Sequence, residues 1–567
     1  MTRGSSLRRG LVLLAAAAGL AVPAAGLAAS APPHLATTAA GTASLVVTFG
    51  APQTDDAAHA QLDALGTVTP LVPEAGVWAV AARPDSALRD RALAIAGVTG
   101  AEWSLVRRAD DITPAAPVAP QPLLPVAAPT DTYFTPDHQA DLLGSISTWA
   151  PDLASVGPRP RIAILDGGVD ASHEEWSGPN SPLVRPFSAW TGQEAADDWG
   201  RTGHGTHVAG IAAAPANGVG VVGVAPGAAG VAEVIPVQIA DRDGYSTDAT
   251  MMRGIRWAVR NGAKVINISA GGAGSARAFQ AVIDWAFRSG ALVVASVGND
   301  GQSYSEMNYP AGYAHVLGVA AQCTGTPDPD CPTLTGLAMF SDRNASVDVV
   351  APGVDILSSV PRRITEGAIA PGYAVKTGTS MAAPYVTGLA ALVFAAHPGA
   401  TPYQVMRQIM NTATDGGPPG RDLSYGDGFV NARAAVTLPL PPDDPTEVND
   451  DVSEVKSESA INASGGSTSV TAAIDDANDP HDVYPVQLRK GQTVRIRVRG
   501  TSSARLRLAL WAPGTRSISG GASSPAAWLR RPVESPKLGY VATSTGRWYV
   551  DVQGVSGRTA YTLTVTR

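Results

Sequence analysis

Between residues 160 and 436 the chain alternates short apolar runs with stretches of helical period. The runs at 161–165, 264–269 and 291–295 are apolar enough to read as strands buried on both faces. The stretch 247–260 places Met251, Met252, Ile255, Ala258 and Val259 on one helical face and stops at Gly262. The stretch 276–289 does the same with Phe279, Val282, Ile283, Ala286 and Phe287, and stops at Gly290. This alternation predicts the α/β class: a mostly parallel sheet covered by helices on both faces. In such a sheet, ligands gather at the carboxyl ends of the strands.

The flanks have other rhythms. Upstream, a strand at 44–49, a helix at 57–65, strands at 68–72 and 77–82, a helix at 86–95 and a strand at 100–105 give a small α+β unit. Downstream, alternating runs at 483–488, 493–499, 506–511, 547–552 and 559–565 are separated by turn residues and predict an all-β sandwich. Pro/Ala-rich 115–129 reads as an exposed link, and Pro/Asp-rich 438–445 as a second link. At the start, Arg3, Arg8 and Arg9 precede an apolar run at 11–22, and Ala29-Ser30-Ala31 offers a cleavage site. That is a signal-peptide pattern, and the run is too short to span a bilayer. The expected division is 1–31 signal peptide, 40–108 small α+β unit, 109–130 link, 131–437 central α/β domain, 438–450 link and 451–567 β-sandwich.

Composition narrows the function. With 45% hydrophobic residues the chain has ample core, and 60 Gly plus 45 Pro in 567 residues are too few for a low-complexity protein. A net charge of −8, with no basic run after the first ten residues, excludes a nucleic-acid footprint. No second apolar stretch matches the first, so the expectation is an exported chain with no membrane span after processing. Its two cysteines, Cys323 and Cys331, flank a short loop and are expected to form a local disulfide in an oxidising compartment.

Three polar residues sit where a core strand or helix would not tolerate them without purpose. Asp166 ends the apolar run 161–165, a costly place for an acid. His204 lies in Gly-His-Gly-Thr-His-Val-Ala-Gly, 203–210, at the start of a helical pattern. Ser380 lies in Gly-Thr-Ser-Met-Ala-Ala-Pro, 378–384, between an extended run and a helix of small residues, where a helix N-terminus favours developing negative charge. An acid that fixes an imidazole, and an imidazole that takes a hydroxyl proton, make a nucleophile of an otherwise weak serine. His204 and His207 are three apart, but no further ligand pattern supports a metal, and His207 reads as structural.

The order Asp, His, Ser with these flanks resembles the subtilisin-like serine proteases (subtilases), over roughly 131–436. One departure is Gly167, where the family usually has a hydroxyl residue. The resemblance implies a subtilisin-like fold and a serine endopeptidase (EC 3.4.21) acting on proteins or peptides. It further implies that Asn299, in Gly-Asn-Asp-Gly, donates to the oxyanion, and that no cofactor is required for catalysis. Substrate strands are implied at Gly244, Tyr245 and Ser246 and at Ser269, Ala270 and Gly271, with Asp300 and Asn308 at the primary specificity pocket. Asn308 stands where a smaller residue is common, which implies a preference for small, polar or basic residues before the cut. A calcium loop is implied at Pro215, Asn217, Val219 and Val221 with Glu175 and Asp131, Glu175 replacing the more usual aspartate. By position, the small upstream unit resembles the family's inhibitory propeptide. The tail resembles the pre-peptidase C-terminal domain of secreted bacterial peptidases, through Asp482-x-Tyr484, Lys490-Gly491-Gln492 and Gly546-Arg547-Trp548-Tyr549. The expected protein is a secreted, monomeric, self-inhibited zymogen. An esterase or transferase of the same chemistry, or a catalytically silent polymer-binding protein on the same scaffold, are the alternatives.

Overall fold

The computed structural model describes residues 35, 37, 42–109, 132, 159–178, 181–226, 231–301, 306–324, 331–333, 336–444, 446–452, 455, 466–476, 479–501, 504–515, 517–518 and 524–567. The expected signal peptide, the 115–129 link and Asp131 lie outside them.

The centre is a seven-stranded, all-parallel sheet in the order Val349–Pro352, Val316–Gln322, Leu292–Ser296, Ala263–Ile268, Arg161–Asp166, Glu233–Gln238, Phe187–Ser188. Its inner strands are buried on both faces, as their unbroken Val/Ile/Leu/Ala runs require. One face is covered by helices His204–Ala213 and Thr379–Ala396, which pack on each other; the other is covered by Asp248–Arg260 and Arg277–Arg288. Thr379–Ala396 is long and apolar enough to cross a membrane, but 94% of its apolar window is buried in this core.

The upstream unit is a four-stranded antiparallel sheet in the order Thr67–Val72, Val77–Ala82, Ala43–Phe49, Val98–Trp103. Helices Asp55–Leu62 and Ser86–Leu93 cover one face around Leu45, Val47, Trp78 and Val80. The opposite face, with Val46, Leu71 and Val77, joins the core built on Asp248–Arg260 and Arg277–Arg288. Polar groups fix this docking: Glu74 accepts from Arg256 at 2.9 Å and pairs with Arg260, and the Ala249 amide donates to Ser104 Oγ at 3.2 Å.

The tail is a sandwich of two four-stranded antiparallel sheets, and its core contains Val486, Ile496, Leu508, Trp548, Val550 and Leu563. It is bound to the central domain by Arg558, which donates to Asp427 and Asn411 at 2.7 Å each, and by the buried Arg407–Asp475 pair. In the expected 438–450 link, residues 438–443 are exposed or half-buried, and burial begins at its end. Glu447 and Asp450 lie 3.2 and 3.6 Å from the buried His315 ring, and the Val483 amide donates to the Asn449 carbonyl. The cysteines form the Cys323–Cys331 disulfide, with Cα atoms 5.4 Å apart.

Candidate active site

Asp166 is the last residue of the central strand Arg161–Asp166, and its carboxylate accepts from the Gly167 amide at 2.7 Å. Both of its oxygens lie within bonding distance of His204 Nδ1, at 2.9 and 2.8 Å. An anion there keeps the proton on Nδ1 and leaves Nε2 as the lone-pair nitrogen. His204 opens its helix directly after Gly203, whose φ of 66° is left-handed. Gly205 must also be glycine: an added Cβ would stand 2.2 Å from the Gly168 carbonyl oxygen and 3.1 Å from Asp166 Oδ1. The close approach of helix and strand depends on that missing side chain.

Ser380 is the second residue of Thr379–Ala396 and is wholly buried. Its hydroxyl donates to the Ser269 carbonyl at 3.2 Å, and Ser269 Oγ donates back to the Ser380 carbonyl at 2.9 Å. Asn267 supports the pair, donating to Ser269 Oγ at 2.9 Å and accepting from Thr387 on the serine helix at 2.8 Å. Asn299 follows the strand Leu292–Ser296, and its side-chain oxygen accepts from both the Thr379 amide and the Thr379 hydroxyl at 2.9 Å. An amide N–H admits only an oxygen opposite it, so the Asn299 NH₂ is the end left for donation. The buried Asp342 holds the turn beneath, accepting from the Asp300 and Gly301 amides at 2.7 and 3.2 Å.

A cavity of about 140 Å³ opens beside Asp166 and His204, bounded also by Asp198, Arg201, Asp243 and Arg108. Asp198 is buried and accepts from the Thr206 amide at 3.0 Å, the Thr206 hydroxyl at 2.6 Å and the Gly200 amide at 3.0 Å. Burial, reinforced by the Asp166 charge, pushes its carboxyl up to about 6, against the pull of those donors. His207 is also buried and is held well below the usual imidazole range by burial; its Nε2 donates to the Ile356 and Ala374 carbonyls at 3.0 Å.

The groove already holds a strand. Val106–Ala109, which continues the upstream unit, pairs antiparallel with Tyr245–Thr247 on one side and with Ala270–Gly271 on the other. The Ala109 amide donates to the Gly244 carbonyl at 3.0 Å, and the Arg108 guanidinium lies over the Tyr245 ring, 5.7 Å from its centroid. Asn308 lies behind Gly271, close enough that a Cβ on that glycine would be 2.5 Å from its side-chain oxygen, and it donates to the Ser296 carbonyl at 3.5 Å. Asp300 stands at the turn organised by Asp342.

The stretch expected to bind calcium is held by hydrogen bonds. The Glu175 carboxylate accepts from the Val221 amide at 2.7 Å, the Tyr373 hydroxyl at 3.2 Å and the Asn217 side-chain amide at 3.4 Å, while Asn217 Oδ1 accepts from the Val219 amide. Asp131, the other acid of the expected set, lies outside the described residues. Asp342 and Asn267 join the site through segments 42 and 120 residues away, which no local motif announces, and Asp198 joins it through the turn before the histidine helix.

A sequence model described as "Subtilase family" matches residues 157–428. Subtilisin E of Bacillus subtilis (strain 168) is 35% identical over 318 residues, 54% of this chain and 76% of that protein. Subtilisin of Bacillus pumilus is 36% identical over 291 residues, 50% of this chain and 95% of that protein. A crystal structure of fervidolysin from Fervidobacterium pennivorans, described as a keratinolytic enzyme related to subtilisin, aligns with a TM-score of 0.57 at 24% identity. That alignment covers 89% of this chain and 84% of the other, and supports the fold alone. With a characterised relative matched over three quarters of its length at this identity, the chain belongs to the subtilase family and is a serine-type endopeptidase.

Proposed function

We propose that this chain is the secreted, self-inhibited precursor of an endopeptidase that cleaves extended polypeptides through an acyl-enzyme on Ser380. The observation that carries the reading is the strand Val106–Ala109, which fills the groove between Tyr245–Thr247 and Ala270–Gly271 as a peptide would. The folded unit from Ala43 to Trp103 then acts as the inhibitor, held by its own sheet against the two outer helices.

In the reaction, a substrate strand replaces Val106–Ala109 and brings a carbonyl carbon to Ser380 Oγ. The hydroxyl hydrogen turns from the Ser269 carbonyl to His204 Nε2 as Oγ attacks, and Asp166 stabilises the imidazolium through Nδ1. Negative charge moves to the substrate oxygen and is met by the Asn299 NH₂ and the Ser380 amide at the helix N-terminus. The imidazolium protonates the leaving amine, and water, deprotonated by His204, then hydrolyses the ester.

Expression of the full chain with and without Ser380→Ala tests the reading. The active chain should separate near residue 109, become reactive to a fluorophosphonate and hydrolyse casein; the variant should stay intact and unlabelled. A Ser380→Ala chain that matures and hydrolyses casein normally would end it. Preference for simple esters over peptides, at equal labelling, would favour the esterase alternative.

A further inference from the structure

The groove strand carries a side chain that is far better held than inhibition needs. Arg107 is 1% exposed, although arginine is among the residues least often buried. Its Nε donates to Asp248 Oδ1 at 2.7 Å, Nη1 to the Gly272 and Ala273 carbonyls at 2.6 and 3.0 Å, and Nη2 to the Gly274 carbonyl at 2.8 Å. The second Asp248 oxygen accepts the Leu105 amide at 3.1 Å, so one carboxylate reads both the guanidinium and the main chain two residues before it. Apart from Arg107, the walls named here are acceptors only. Among the described residues, Asp248 is ion-paired with no other cation.

We infer that this socket is a subsite of the mature enzyme selective for arginine in the substrate residue that takes the place of Arg107. The inference rests on reading Val106–Ala109 as a stand-in for substrate. When that strand leaves, Asp248 keeps its position at the head of its helix, fixed by the Thr247–Thr250 capping box, and Gly272 is held by its two hydrogen bonds with Tyr309. A buried carboxylate with three converging carbonyls meets a guanidinium's fan of donors. A leucine in the same place would leave the Asp248 charge unpaired and take the guanidinium donors from the Ala273 and Gly274 carbonyls, while the Gly272 carbonyl keeps the Tyr309 amide at 2.9 Å. An unpaired buried charge is the most effective way a site rejects the wrong side chain. The register fixes the position. Ala109 pairs with Ala270, so the next residue of a bound strand faces Ser269, whose carbonyl receives the Ser380 hydroxyl. The bond after that residue is the one attacked, and the Arg107 place is the fourth residue before it.

The test uses the full-length chain, followed through its own maturation, with quenched peptides identical except for arginine, lysine, citrulline or leucine at each of the six positions before the cut. Cleavage sites are read by mass spectrometry. Arginine at the fourth position should raise kcat/KM over citrulline, its uncharged isostere, by roughly 100-fold, with lysine between. Asp248→Asn should bring the arginine-to-citrulline ratio down to near one. An equal rate for arginine and citrulline at that position, or the preference appearing elsewhere, overturns the subsite. If activity appears only on separation of the upstream unit but with a flat ratio, the subsite alone fails. If the intact precursor cleaves peptides as fast as the separated enzyme, the zymogen reading falls and takes the subsite with it.

Discussion

The Thr379 amide and hydroxyl both donate to the side-chain oxygen of Asn299, each at 2.9 Å. The first residue of the serine helix thereby aims the carboxamide, so that in the proposed mechanism Asn299 meets the oxyanion without reorientation. Asn299→Ala should lower kcat by about 10²–10³ with little change in KM. Thr379→Val removes one of the two restraints and should cost less, roughly tenfold, also in kcat. Steady-state kinetics on one peptide substrate separates these from a binding defect, which would appear in KM.

Gly205 sets the spacing between the histidine helix and the aspartate strand. In Gly205→Ala the new methyl would stand 2.2 Å from the Gly168 oxygen, against backbone that cannot yield cheaply. The expected result is a loss of about 1–3 kcal/mol in stability and a fall in kcat as His204 moves off Asp166. Circular dichroism melting with active-site titration reads both; full activity in a folded variant would show that the contact relaxes at no cost.

Asp198 should leave a pH signature. Its folded pKa of about 6 lies above the ordinary carboxylate value of 3.8. It therefore contributes stability that is complete below the unfolded value and is lost as pH rises through 6. The difference in melting temperature between wild type and Asp198→Asn, measured from pH 4 to 8, should change across that window and level off above it. A charge beside Asp166 and His204 also favours the imidazolium, so the acid limb of kcat/KM should move to lower pH in the variant. A difference independent of pH would mean that Asp198 does not titrate there.

The Cys323–Cys331 bond closes a loop with a sequence separation of 8. Loop-closure entropy for so short a span gives about 2–3 kcal/mol, so replacing both cysteines by serine should lower the melting temperature by several degrees. The kinetic constants should hold, because the bond takes no part in the catalytic geometry. Chemical denaturation of the two proteins reads the difference directly.

Much was legible because it is local. Asp166, His204, Asn299 and Ser380 each stand at the end of a strand or the start of a helix, and short-range apolar pattern and glycine punctuation reveal such boundaries. The alternation that gave the parallel sheet is equally local, since a strand buried on both faces must be apolar throughout. The expected helix at 247–260 appears as Asp248–Arg260, and that at 276–289 as Arg277–Arg288.

Other features needed the folded chain. Val106–Ala109 has no mark in sequence that distinguishes a strand seated in a groove from the start of a link; its place comes from distant partners, Thr247 opposite Val106 and Gly271 opposite Arg108. The partners of Glu175, the Val221 amide and the Tyr373 hydroxyl, likewise come from segments 46 and 198 residues away. The order of residues was enough to set the chemistry available, because a nucleophile, a base and an acid are residue types at recognisable boundaries. Only the tertiary structure decided which charges were buried together, as with Arg107 and Asp248, because desolvation and pairing act between segments that the order of residues leaves far apart.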